Sequence, residues 1–114
     1  MIEVFDEVIK VRKGRYMYQG REFPVRTGVI LLFSFFTQPS TVLNELTILR
    51  LPNPYDVNEY VLNYVNGDHV IDPITDSPIP FHLPDKRFYY VIDSPSACVV
   101  KARIVYAPVE VVFR

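Results

Sequence analysis

Apolar and polar residues alternate with period two along much of this chain, the spacing of strands with one buried face. Over Val8–Lys13, Ile9 and Val11 fall on one face, and Lys10 and Arg12 on the other. Alternation is cleanest over Ala97–Tyr106, which predicts Cys98, Val100, Ala102, Ile104 and Tyr106 facing inward and Lys101 and Arg103 outward. Gly28–Thr37 reads GVILLFSFFT, apolar on both faces, the pattern of a strand buried centrally in its sheet.

Turn residues separate these runs. Gly14 turns the first strand into Arg15–Gln19, Gln38-Pro39-Ser40 ends the central run, and Pro52-Asn53-Pro54 stops Glu45–Leu51. Asn66-Gly67 tolerates the positive φ of a type I′ turn, which predicts a hairpin between Glu59–Val65 and His69–Ile71. Arg87–Asp93 and Ala97–Tyr106 are expected to pair across Ser94-Pro95-Ser96, and Val109–Phe113 reads as a final strand. Asp56–Asn66 also fits a helical stripe of Val57, Tyr60, Val61, Tyr64 and Val65, with Asp56 and Glu59 as a capping box. The composition of the chain selects the strand there.

That composition is seventeen Val and nine Ile against three Ala, with eight Tyr and eight Phe. Branched and aromatic side chains fit a pleated sheet, and Ala, the best helix former, is scarce. Ten prolines leave no room for long helices. The expected fold is all-β: a single antiparallel β-sandwich, jelly-roll-like, of about seven to nine strands over residues 1–114. Within it, 72–84 (DPITDSPIPFHLP) forms a proline-rich loop or arm, pre-stiffened for lying on a partner.

Twelve Lys+Arg balance thirteen Asp+Glu for a net charge of -1, so no overall field draws the chain to nucleic acid or an anionic membrane. The apolar runs are too short to span a bilayer, and the acidic start (Glu3, Asp6, Glu7) does not read as a signal peptide. A soluble protein without a membrane segment is the expectation, cytoplasmic unless carried in a particle. Charge is nevertheless uneven. Lys10, Arg12, Lys13, Arg15, Arg21 and Arg26 face only Glu22 in their stretch, whereas Glu45–Asp93 holds eight acids against three cations. Such asymmetry suits head-to-tail contact between copies or docking on a partner lattice.

Candidate chemistry is sparse. His69 and His82 with Asp68, Asp72 and Asp85 lack metal-ligand spacing, and no metal or cofactor is expected. Cys98, on an inward strand face, reads as a small core residue. No serine sits in a nucleophile elbow, and four scattered glycines make no phosphate loop. An enzyme is not expected. Surface tyrosines, the arm and the basic strip make Arg12, Arg15, Tyr16, Tyr18, Pro78, Pro80 and Phe81 the expected partner contacts.

The order of an N-terminal ribbon, GVILLFSFF, ELTILRL and the terminal FYYVIDSPSACVVKARIVY resembles small all-β virion proteins of tailed bacteriophages, the head decoration and accessory proteins. The resemblance covers Gly28–Tyr106 and implies a non-catalytic protein that binds a capsid or tail lattice of virion or self subunits in many copies, and hence a virion location. A basic strip interleaved with Tyr16 and Tyr18 supports the alternative, a small OB-like binder of single-stranded nucleic acid. A sugar-binding sandwich module is disfavoured because the chain has no tryptophan.

Overall fold

The computed structural model describes residues 1–52 and 80–109 in full, and the backbone of 60–62, 68–71 and 79. Nine strands lie among them: β1 (Glu3–Val11), β2 (Gly14–Gln19), β3 (Thr27–Gln38), β4 (Glu45–Leu49), β5 (Tyr60–Leu62), β6 (Asp68–Ile71), β7 (Ile79–His82), β8 (Tyr89–Ser94) and β9 (Cys98–Pro108). They form two antiparallel sheets, an all-β sandwich of the kind the composition predicts. The first sheet runs β1-β9-β3, with β6 and β7 both pairing along the far side of β3; the second runs β2-β8-β4-β5. Among the described residues no helix is long and apolar enough to cross a membrane.

The turns behave differently from the sequence expectation. Gly14 carries the chain out of β1 in the first sheet and into β2 in the second, and Ser94–Ser96 carries it back from β8 to β9. Neither turn closes a hairpin between its own flanking strands. Each is an arch over the end of the sandwich, and β1 pairs instead with β9, and β2 with β8. The proposed 59–71 hairpin fails likewise, because β5 pairs with β4 and β6 with β3, in different sheets. Backbone strand geometry at Tyr60–Leu62 agrees with the strand reading of that stretch. The turn at 66–67, the segment 72–78 and residues 110–113 lie outside the described residues.

Inward-facing residues of both sheets interdigitate in one cluster. β9 places Cys98, Val100, Ala102, Ile104 and Tyr106 there, as its alternation predicts, with Arg103 exposed on the other face. β3 is central in its sheet, but only one of its faces is fully buried. A bulge between Ile30 and Leu32 shifts the register against β9, so Gly28 and Ile30 point inward before it and Phe33, Phe35 and Thr37 after it. On the other face Val29, Leu32 and Phe36 remain half-buried. At the centre, the Phe23 ring lies 4.6 Å from Phe5, 4.7 Å from Tyr106, 5.4 Å from Phe88 and 5.6 Å from Phe81, centroid to centroid. Such tilted and edge-on pairs are the arrangement aromatic quadrupoles favour.

Candidate interaction surface

The arch at Gly14 sets two edge strands side by side, β1 of one sheet and β2 of the other. Gly14 has a φ of 111°, which side-chain-bearing residues rarely adopt, and the Tyr16 ring lies 3.1 Å from where a Cβ would sit. Beyond this turn Arg12, Tyr16 and Tyr18 come together. The Arg12 guanidinium lies 5.8 Å from the Tyr16 ring centroid, the Tyr16 and Tyr18 rings meet edge-on at 6.5 Å, and the Arg12 amide donates to the Tyr18 hydroxyl at 2.9 Å. Tyr16 is 46% exposed and Met17 41%. Three of the sequence-predicted contacts thus form one corner.

Arg15 points to the opposite face of β2. There it spans Asp93 to form a two-pronged ion pair with Glu45, at 2.7 and 3.2 Å. The Glu45 carboxylate raises the Arg15 pKa through this hydrogen bond. Other cations of the strip are also engaged. The Arg21 guanidinium donates to the Asp6 carbonyl and lies 4.1 Å from the Phe5 ring centroid, and Arg26 donates to the Pro84 carbonyl. Lys86 pairs with Glu22 at 3.4 Å. Among the described residues no carboxylate pairs with Lys10, Arg12 or Lys13. The sequence-level charge asymmetry is therefore realised as a small cationic corner and not as a positive pole.

On the inner face of β1 lies a buried acid that the sequence showed only as part of an acidic terminus. Glu7 is 7% exposed. Its carboxylate accepts from the Tyr90 hydroxyl and, at 3.0 Å, from the Arg21 amide. Burial first, and the Glu7 charge second, hold the Tyr90 phenol well above its ordinary pKa. Period two along Phe5-x-Glu7-x-Ile9-x-Val11 places Glu7 on the inner face, so the signal was present in the sequence.

Two expected contacts are corrected or displaced. Phe81 is 4% exposed and packs its ring against Phe23, Phe88 and Tyr106; it is a core residue, not a partner contact. β7 alternates, and the same alternation that buries Phe81 exposes Pro80. Pro80 is in register with Val29 and, through it, Ala107, whereas Arg12 follows the Val11–Cys98 pair. Nine residues of β9 separate these levels, about 30 Å at strand rise. Pro80 and the Arg12 corner therefore sit at opposite ends of the sandwich. Pro78 lies outside the described residues.

The histidine–acid set does not converge where it is described. His82 Nδ1 is 3.1 Å from Thr27 Oγ1, and the Asp85 carboxylate accepts from the Tyr89 hydroxyl at 2.9 Å. Among the described residues no three potential metal-ligating side chains cluster. Cys98 is buried, 3.7 Å from the Ser94 hydroxyl, consistent with the core role read from its strand.

The outer face of the first sheet presents a second surface. Cross-strand registers order it in rows: Val4–Val105–Leu32, Asp6–Arg103–Ser34, Val8–Lys101–Phe36 and Lys10–Val99–Gln38. Val4 and Val8 are 55% and 62% exposed. Arg103 forks onto Asp6 at 2.7 and 3.1 Å and holds its carboxyl below the usual range. Lys101 Nζ lies 5.3 Å from the Phe36 centroid. An open cleft of about 410 Å³ runs between the two middle rows. Sequence reasoning missed this surface because a Val/Phe-rich run looks the same whether its second face is covered or open.

No family model, no curated protein and no solved structure matches the chain.

Proposed function

We propose that this protein acts by binding, as a structural or assembly component that associates with its own copies or with other subunits of a symmetric lattice. The observation that carries this reading is the exposure on an edge strand of Tyr16, with the Arg12 guanidinium 5.8 Å from its ring, and of Met17 on the strand's other face. Tyr, Met and Arg are the side chains enriched in protein interfaces, where they give large contact area at small entropic cost. The resemblance to virion decoration and accessory proteins supports the finer form of the proposal, a capsid- or tail-associated protein carried in the virion.

Light scattering over a concentration series tests it. The chain is expected to associate as concentration rises, and the double variant Tyr16→Ala, Met17→Ser is expected to weaken that association. A chain that stays monomeric at its solubility limit, with the variant indistinguishable from it, overturns the proposal.

A second reading is favoured by the same corner: Lys10, Arg12 and Lys13 beside two tyrosines could track a phosphate backbone and stack bases. Fluorescence anisotropy with a labelled oligothymidylate separates the two. Binding that falls steeply with salt and is lost with Tyr16→Ala selects the nucleic-acid reading, and absence of binding at low salt removes it.

A further inference from the structure

From the outer face of the β1-β9-β3 sheet we infer a docking site for an extended, acidic segment of a partner protein, with apolar residues flanking its acids. The inference rests on the binding role proposed above and adds a second surface with a partner of defined chemistry.

Charge selects the partner. Among the described residues the face carries Lys10, Lys101 and Arg103 against Asp6, which Arg103 already engages, and Asp68, whose backbone is in register with Phe36 at the far side of β3, a surplus of one positive charge. Among the described residues no carboxylate pairs with Lys101; its ammonium rests over the Phe36 ring. An identical face from a second copy would bring the same surplus of positive charge, so like-charge repulsion disfavours self-stacking. An acidic segment removes that surplus.

Spacing selects an extended conformation. Lys101 and Arg103 are two residues apart on one strand and so point to the same side about 7 Å apart, the repeat of side chains on one face of an extended chain. Carboxylates at positions i and i+2 of a segment laid along β9 therefore reach both cations, the one at Arg103 sharing its guanidinium with Asp6, which takes Nε and Nη2. One step further, the Val4–Val105–Leu32 row receives an apolar residue; one step the other way, Val99 does so beside Lys10. The order written on the sheet is apolar, cation, cation, apolar, and its complement is apolar, acid, acid, apolar at every second residue.

The aliphatic content separates a protein partner from a nucleic acid. Single-stranded bases take aromatic platforms; here Phe36 is half-buried with the Lys101 ammonium over its ring, whereas Val4, Val8, Val105 and Leu32 offer aliphatic surface suited to another side chain. The cleft between the middle rows is lined by Asp6, Arg103 and Ser34 of one row and by Val8, Lys101 and Phe36 of the other. It leaves room for a carboxylate stem to lie between the rows and meet Lys101.

The test uses the full chain, ¹⁵N-labelled, titrated with the peptide Val-Ser-Glu-Ser-Glu-Ser-Val. Amide shifts are expected along β1, β9 and β3, shrinking as salt rises. Lys101→Glu is expected to weaken binding roughly fivefold or more, the scale of losing one close charge pair and gaining a repulsion. Lys101→Gln, which adds no acid beside Asp6, is expected to weaken it less, and both variants should keep the wild-type amide spectrum away from the site. The lysine analogue Val-Ser-Lys-Ser-Lys-Ser-Val should not bind, and the reordered Glu-Ser-Val-Ser-Val-Ser-Glu should bind more weakly. Equal binding of the reordered peptide, shifts confined to the Tyr16 corner, or indifference to Lys101→Glu overturns the inference. So does occupation of this face by oligothymidylate, phosphatidylserine vesicles or a second copy in place of the peptide. Tyr16→Ala, Met17→Ser should leave peptide binding intact, so failure of the peptide with self-association retained rejects this site alone. Peptide binding by a chain that never associates rejects only the assembly reading.

Discussion

The hydroxyl of Tyr90 donates to the carboxylate of Glu7 inside the sandwich, tying β8 of one sheet to β1 of the other. A charged group in an apolar interior is costly unless its oxygens are hydrogen-bonded, and here each is: Oε2 by the phenol, Oε1 by the Arg21 amide. Tyr90→Phe removes one donor without changing shape and strands a buried oxygen. Denaturant unfolding should show a loss of about 1–3 kcal/mol, the scale of an unsatisfied buried polar group. Glu7→Gln keeps one acceptor but sets an NH2 donor where the other oxygen accepted, against Tyr90 or the Arg21 amide, and should also destabilise; an unchanged midpoint in either variant would contradict this account.

Alkaline pH should destabilise the fold through its buried phenols. Burial, with a hydrogen bond to Glu3 at 2.8 Å, pushes the Tyr106 pKa up to about 12, and Tyr90 is also held well above 10. A phenol whose folded pKa exceeds its unfolded value contributes stability that is complete below pH 10 and declines as pH rises through the folded value. For Tyr106 the window is pH 10 to about 12. Each such proton adds up to about 1.4 kcal/mol per pH unit to the slope. Urea midpoints measured across this range should fall, and Tyr106→Phe should flatten the fall; an unchanged slope in the variant would refute the assignment.

Gly20 is held by its surroundings. A Cβ there would lie 2.6 Å from the Phe88 carbonyl oxygen and 3.0 Å from the Glu7 carboxylate. The backbone contact cannot yield cheaply, because the Gly20 amide donates to that same carbonyl at 2.9 Å. Gly20→Ala should therefore destabilise by about 1–3 kcal/mol, the cost of overpacking a filled interior. Thermal unfolding monitored by near-UV circular dichroism is the direct check, since Tyr90 sits beside the strain.

Period-two alternation located β9 with its inward residues and, of β1, the end that carries Ile9 and Val11, because a strand's own side chains report which way they face. The turns told less. Gly14 and Ser94-Pro95-Ser96 reveal that the chain reverses, but the same chemistry serves a hairpin and an arch, and only long-range pairing distinguishes them. The Tyr16 corner was legible as an aromatic–basic interleaving. Phe81 was misread because prolines on either side suggested an arm, whereas the inward position on β7 decides its burial. On the outer face of the first sheet Lys101 and Arg103 were legible as outward, but their neighbours were not, since Lys101 and Val8 meet only through a register spanning nearly the whole chain.

That register reaches 103 residues at the Glu3–Tyr106 contact. During synthesis β1 is made well before β9, its hydrogen-bonding neighbour. Until then the inward residues Phe5, Ile9 and Val11 have no sheet to lean on, so nascent chains stalled before Cys98 should be sensitive to protease. Acquisition of the fold is thereby deferred until β9 has been made, a slow step set by strand order and not by local preference.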